Sequence, residues 1–160
     1  MNKILPKREA RIIFTRKGYD DLLKERDGFL NERPEAVKNL TLAREMGDLS
    51  ENGYYRAARA RLSFLDSRLR HIEHLIKLAE IKETIDNDTV GVGSRVIVLN
   101  DKIRYEYTIV GGYESDPVKK KISHLSPLGK ALIGKKINEK INVATPAGAM
   151  TYTVIKIYGK

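Results

Sequence analysis

The chain has no cysteine and no tryptophan, and only 3 histidines, 3 phenylalanines and 5 prolines in 160 residues. Without cysteine, disulfides and thiolate metal sites are excluded and a reducing compartment is permitted. His71 and His74 stand three apart, a spacing that can bind a metal, but no third ligand accompanies them. Together with His124 they read as surface or packing residues. No apolar run approaches the length of a membrane span, and the basic start MNKILPKREARIIF offers no signal-peptide core. A cytoplasmic protein with no membrane association is expected. There is no Ser/His/Asp triad, P-loop or zinc-ligand spacing to suggest an enzyme working alone.

What the chain does have is positive charge, net +9. The excess is spread over both halves, with no basic tail. It favours a polyanionic partner, such as nucleic acid or an acidic protein surface.

The two halves have different periods. From Tyr55 the apolar positions run Tyr55, Ala58, Leu62, Leu65, Leu69, Ile72, Ile76 and Ala79, alternating steps of three and four in a heptad seam. Upstream, Tyr19, Leu22, Leu23, Phe29, Leu30, Val37 and Leu40 make a looser helical pattern. Thr15 is placed to cap this first helix and Gly47 to stop it. Pro34 lies inside it and should remove one backbone hydrogen bond and bend or loosen the helix there. At 1.5 Å per residue, helices over 15–46 and 51–80 are about 48 and 45 Å long. A link as short as Gly47–Ser50 folds them back antiparallel. The expectation is a coiled-coil hairpin over 13–84.

After Glu83, TIDNDTVGVG reads as a polar, Gly-rich linker. SRVIVLN, RYEYTIVGG, KKKIS, KINVATPAG and MTYTVIKIY then read as short strands cut by turn residues. SPLGKALIG, at 126–134, reads as one short helix, with Ser126 as N-cap and Pro127 at the first helical position. The fold class expected is α plus α+β: the hairpin, then a small antiparallel sheet domain over 90–160.

Between the helices lies AREMGDLSENGYYRAAR, residues 43–59. Asp48 and Glu51 have the spacing of a capping box, which needs no function beyond helix stability. They are also two hard oxygen donors at the far end of a long hairpin, with arginines behind them. Arg56, Arg59 and Arg70 share one face of the second helix, and Arg61 and Arg68 another. Two carboxylates alone are a poor magnesium cage, because Mg²⁺ usually shares one or two carboxylates with waters and substrate phosphates. Such a tip becomes competent only inside another molecule's phosphate-bearing site.

The stretch AREMGDLSENGYYRAAR resembles the coiled-coil tip of the Gre transcript cleavage factors of bacterial RNA polymerase. FTRKGYDDL, ERPEAV, SPLGKALIGK and TPAG resemble the family as well, so the likeness covers about residues 12–158. AREMGDL and YRAAR are GreA-like, whereas ERPEAVKNL and the serine before Glu51 lean toward GreB. Gly53 departs from the family, many of whose members have Ala there, and MNKILPKREARI extends beyond the usual start.

The resemblance implies an FKBP-like C-terminal domain that docks on RNA polymerase near Ser126 and Pro127. It implies a coiled coil that enters the polymerase secondary channel. Asp48 and Glu51 then correspond to tip acids that help the polymerase hold a second Mg²⁺, which the isolated factor does not bind stably. Arg44 and Arg59, with Arg56 beside them, correspond to residues contacting the nascent RNA 3′ end. The outcome implied is stimulated endonucleolytic cleavage of backtracked RNA by the polymerase, with the factor a monomeric accessory and not an enzyme. A channel-blocking inhibitor is the first rival, but it needs no acid pair. A prolyl isomerase or chaperone built on the FKBP-like half is the second, but the latter half carries no Phe or Trp for the apolar pocket.

Overall fold

The computed structural model describes residues 10–46, 53–84, 86–145 and 148–159. The turn expected at Gly47–Ser50, with Asp48 and Glu51, lies outside the described residues. By its contacts the chain divides into two units, residues 20–78 and residues 1–19 with 79–160.

The first unit is a helical hairpin built from most of α1 (Arg16–Glu45) and from α2 (Gly53–Leu78). In α2 the residues buried are Ala58, Leu65, Leu69, Ile72 and Leu75. The heptad seam expected from Tyr55 therefore holds as far as Ile72. Leu75 then takes the inward place assigned to Ile76, because a helix of 3.6 residues per turn drifts from a strict seven-residue repeat.

In α1 the inward residues are Leu22, Ala36, Leu40 and Ala43, while Leu30 and Val37 are exposed. Spaced by alternating fours and threes, Leu22, Arg26, Phe29, Arg33, Ala36, Leu40 and Ala43 form a heptad row. Hydropathy hid it, because two of its members are arginines and two are alanines.

Ion pairs tie one helix to the other: Arg68 to Glu25 at 2.7 Å, Arg33 to Asp66 at 2.7 Å, and Arg61 to Glu32. Phe29 meets Phe64 edge to face, with centroids 6.3 Å apart. Arg68 lies over the Phe29 ring and Arg61 over Phe64. The guanidinium groups thus lie against aromatic rings while staying partly exposed. α1 runs unbroken through the exposed Pro34.

The second unit holds a five-stranded sheet in the order β5-β4-β3-β7-β6. Its strands are β3 (Arg95–Asn100), β4 (Ile103–Val110), β5 (Lys121–Ser123), β6 (Lys140–Thr145) and β7 (Gly148–Tyr158). All neighbours are antiparallel except the edge pair β4–β5, which is parallel. Asp101 and Lys102 turn β3 into β4, both at positive φ, as a two-residue hairpin of matching twist demands. Val96, Val98, Ile109, Val154 and Ile157 point to one face, where Leu132 of the short helix α3 (Pro127–Leu132) completes the core. As expected, Ser126 caps α3: its hydroxyl accepts from the Gly129 amide at 3.0 Å, and Pro127 follows at the first helical position.

Two expectations are corrected here. The supposed linker is part of the core: Val90, Gly91 and Val92 are buried, and the Val90 amide donates to the Lys135 carbonyl at 2.9 Å. A β-carbon on Gly91 would overlap the Thr84 side chain, so the glycines serve close packing rather than flexibility. The second helix ends at Leu78, and the next residues form β2 (Ala79–Ile81), paired in parallel with β1 (Ile12–Phe14). The helical unit of 20–78 lies within the span 13–84 expected for the hairpin. The residues flanking the hairpin on both sides join the sheet unit through this two-stranded ladder.

Candidate functional site

The residues leading into and out of the turn rest on a seam of small side chains. Leu40, Ala43 and Ala58 are buried together, with Tyr55 and Leu62 packed against them. Alanine at facing positions lets the two backbones approach more closely than leucine would. Sequence periodicity found Ala58 but missed Ala43, which is fully buried. Its signal was the spacing of three from Leu40.

Arg44 and Arg59 each follow directly on one of these buried alanines, so both helices carry an arginine at the same level of the hairpin. Arg56 lies one turn before Arg59 on the same face of α2. All three are exposed. Among the described residues none of the three makes an ion pair, whereas Arg33, Arg61 and Arg68 farther along the hairpin are all paired. Their planar, forked guanidinium donors suit phosphate. Met46 and Tyr54 are exposed beside them.

Asp48 and Glu51, expected between these helix ends, lie outside the described residues. Among the described residues no group of three His, Cys, Asp or Glu is placed to hold a metal. His71 and His74 are exposed on α2, and His124 approaches the Val110 carbonyl through Nδ1 at 3.2 Å.

Ser126 and Pro127 sit in the other unit. The Ser126 hydroxyl is engaged locally, donating to the Ser123 carbonyl at 2.7 Å and accepting from Gly129, while Pro127 is exposed. A β-carbon on Gly129 would meet the Ser123 carbonyl, so this corner is closely packed.

The family model described as "Transcription elongation factor, N-terminal" matches residues 12–81. The one described as "Transcription elongation factor, GreA/GreB, C-term" matches residues 85–159. The chain belongs to the GreA/GreB transcription elongation factor family. It is 39% identical over 150 residues to transcription elongation factor GreA of Nitratiruptor sp., covering 91% of this chain and 92% of that one. It is 40% identical over 148 residues to transcription elongation factor GreA 2 of Lactiplantibacillus plantarum, covering 89% and 92%. The crystal structure of GreA factor homolog 1 of Thermus thermophilus aligns with 94% of this chain and 100% of that chain, at 26% identity and a TM-score of 0.44. The two family models meet between Ile81 and Ile85, where β2 gives way to the buried Val90–Val92 segment. Among the described residues no helix is long and apolar enough to cross a membrane.

Proposed function

We propose that this GreA-type factor binds bacterial RNA polymerase through its secondary channel and stimulates the polymerase's own endonucleolytic cleavage of backtracked nascent RNA, rescuing arrested elongation complexes. The reading is carried by one observation. Arg44, Arg56 and Arg59 are exposed and unpaired among the described residues, on the two helix ends that bracket Asp48 and Glu51, in a chain matched by both GreA/GreB family models.

Arg44 and Arg59 hold the phosphates of the extruded 3′ segment by forked, charge-assisted hydrogen bonds, and Arg56 adds to the same positive field. Asp48 and Glu51 bring negative charge and oxygen donors to the polymerase centre. Their donor chemistry fits Mg²⁺, a hard cation that takes one or two carboxylates and fills its shell from waters and phosphates. When bound, Mg²⁺ would supply Lewis-acid stabilisation and a more acidic water. The cross-helix ion pairs and the Ala43–Ala58 seam keep the two arginine-bearing helix ends together. Ser126 and Pro127 belong to the face that docks on the polymerase. On this reading the factor is a monomeric cytoplasmic accessory, and the catalytic centre is the polymerase's.

Asp48→Asn and Glu51→Gln test it, because Asn and Gln still serve in helix caps. Both variants should bind polymerase normally and lose Mg²⁺-dependent cleavage in a stalled complex. Cleavage at the wild-type rate by both would overturn the metal role.

A further inference from the structure

The sheet has a second face, and each strand places one cation on it. Residues directly opposite in register lie on the same side, and side chains alternate along each strand. Thr108 is opposite Lys121 of β5 and Arg95 of β3. Arg104 of β4 is opposite Leu99, and Leu99 is opposite Thr153 of β7. Thr153 is opposite Lys140 of β6, and Lys156 is opposite Ile97. The alternate set is the buried core. Lys121, Arg104, Arg95, Lys156 and Lys140 therefore point away from the core, one from each strand in sheet order. At roughly 4.8 Å between strands, the set spans about 19 Å across the sheet, with Lys121 and Arg95 level with each other and Arg104 and Lys140 level with Leu99.

Among the described strand residues of this face the one carboxylate is Glu106, 3.2 Å from Arg95. Arg104, Lys140 and Lys156 are exposed. Neutral donors lie beside them. Thr151 donates its hydroxyl to Asn142 Oδ1 at 2.8 Å, and the Asn142 side chain is exposed.

We propose that this face binds the sugar–phosphate backbone of duplex DNA without reading its sequence. The face is strongly positive and carries Thr and Asn donors around the half-buried Ile97 and Leu99 of β3, and cations with neutral donors are what phosphate contacts require. Two alternatives fit less well. Single-stranded nucleic acid is held on free aromatic platforms, but the Tyr158 ring already has Arg95 4.4 Å and Lys156 4.7 Å from its centroid. A protein partner wants large apolar anchors. The exposed ones on these strands, Ile103, Tyr105 and Met150, lie on the opposite face: Tyr105 and Met150 are in register with the core residues Val98 and Val143, and Ile103 is two residues from Tyr105 along β4.

The test uses the full chain without polymerase, so its result is independent of the cleavage reading. Binding to a random duplex of about 30 base pairs is followed by fluorescence anisotropy from roughly 50 to 200 mM KCl. Arg104→Glu, Lys140→Glu and Lys156→Glu together should weaken binding at least about tenfold and lower the log–log salt slope by about 2.7. The same charge change at the exposed Lys119, Lys130 and Lys136, which lie off this face, should cost less than about threefold. The milder pair Lys140→Gln and Lys156→Gln, which keeps the fold in hand, should lower the slope by about 1.8. Equal losses from the on-face and off-face triples would reduce the effect to net charge and overturn the proposal. Tighter binding of single-stranded RNA at this face than of duplex would overturn it as well.

Discussion

The Glu114 carboxylate takes both donors of Thr15. Oε1 accepts the backbone N–H at 2.7 Å and Oε2 the hydroxyl at 2.5 Å, while the Thr15 hydroxyl in turn accepts from the Gly18 amide at 3.0 Å. In a capping box the acidic partner sits three residues into the same helix. Here that position is Gly18, and the carboxylate arrives instead from the 3₁₀ turn Gly112–Glu114, 99 residues along the chain. Phe14, next to the cap, is buried and stacks on Tyr113 with centroids 6.3 Å apart. Glu114→Ala strands a buried amide and hydroxyl and should cost about 2 kcal/mol in urea unfolding. Glu114→Gln, which keeps one oxygen acceptor, should cost less. An unchanged midpoint for Glu114→Ala would show that the bonds contribute nothing net.

Two helical glycines should respond in opposite directions to alanine. A β-carbon on Gly18 would fall on the Glu114 carboxyl, which can yield only by leaving Thr15. Gly53 has nothing within 4 Å of the added carbon. Gly53→Ala should therefore stabilise by about 0.5–1 kcal/mol, while Gly18→Ala should destabilise despite alanine's better helix propensity. Thermal melts of the two variants compare them directly, and a higher midpoint for Gly18→Ala would contradict this packing argument.

Ala43 has no exposed surface and packs with Ala58. Ala43→Leu adds three carbons where the helices meet and should cost roughly 1–3 kcal/mol by overpacking. Chemical unfolding measures that loss, and a gain in stability would mean the seam has room to spare.

Acid stability should depend on two turn carboxylates. Asp86 has its pKa lowered chiefly by the Asp88 amide and then by the Thr89 hydroxyl. Asp116 has its pKa lowered chiefly by the backbone amide of Lys119. A depressed folded-state pKa means the contribution is complete above the unfolded value, near 3.8, and is lost as pH falls through the lower folded value. Asp86→Asn and Asp116→Asn should flatten the pH dependence of stability below about pH 4 and leave it unchanged near neutrality. A wild-type acid profile in the double variant would exclude both groups.

On the cleavage reading, Arg44→Ala and Arg59→Ala should weaken engagement of long backtracked transcripts more than binding to polymerase. Crosslinking of the extruded RNA, set against polymerase affinity, separates the two. Equal losses would make these arginines structural.

Much of the architecture was legible locally. The α2 seam from Ala58 to Ile72, the Thr15 and Ser126 caps, and the five strands of the main sheet all follow from periodicity, β-branched runs and turn residues. What escaped was non-local. Ala36 and Ala43 are inward because of what faces them, not because alanine is strongly hydrophobic. Ile12–Phe14 became a strand only because Ala79–Ile81 lies alongside, and a parallel pair so distant in sequence leaves no local mark. Val90–Val92 looked like linker because glycine signals a turn equally well when the turn is buried.

Sequence alone determined the two helices, the short helix and the five strands of the main sheet, and the family, since spacing and residue type are carried in the order of the chain. The tertiary structure decided the external cap from Glu114, the ion pairs that leave Arg44, Arg56 and Arg59 unpaired among the described residues, and the single basic face of the sheet. Each of these depends on register between distant segments, and register is set by packing, which no local window contains.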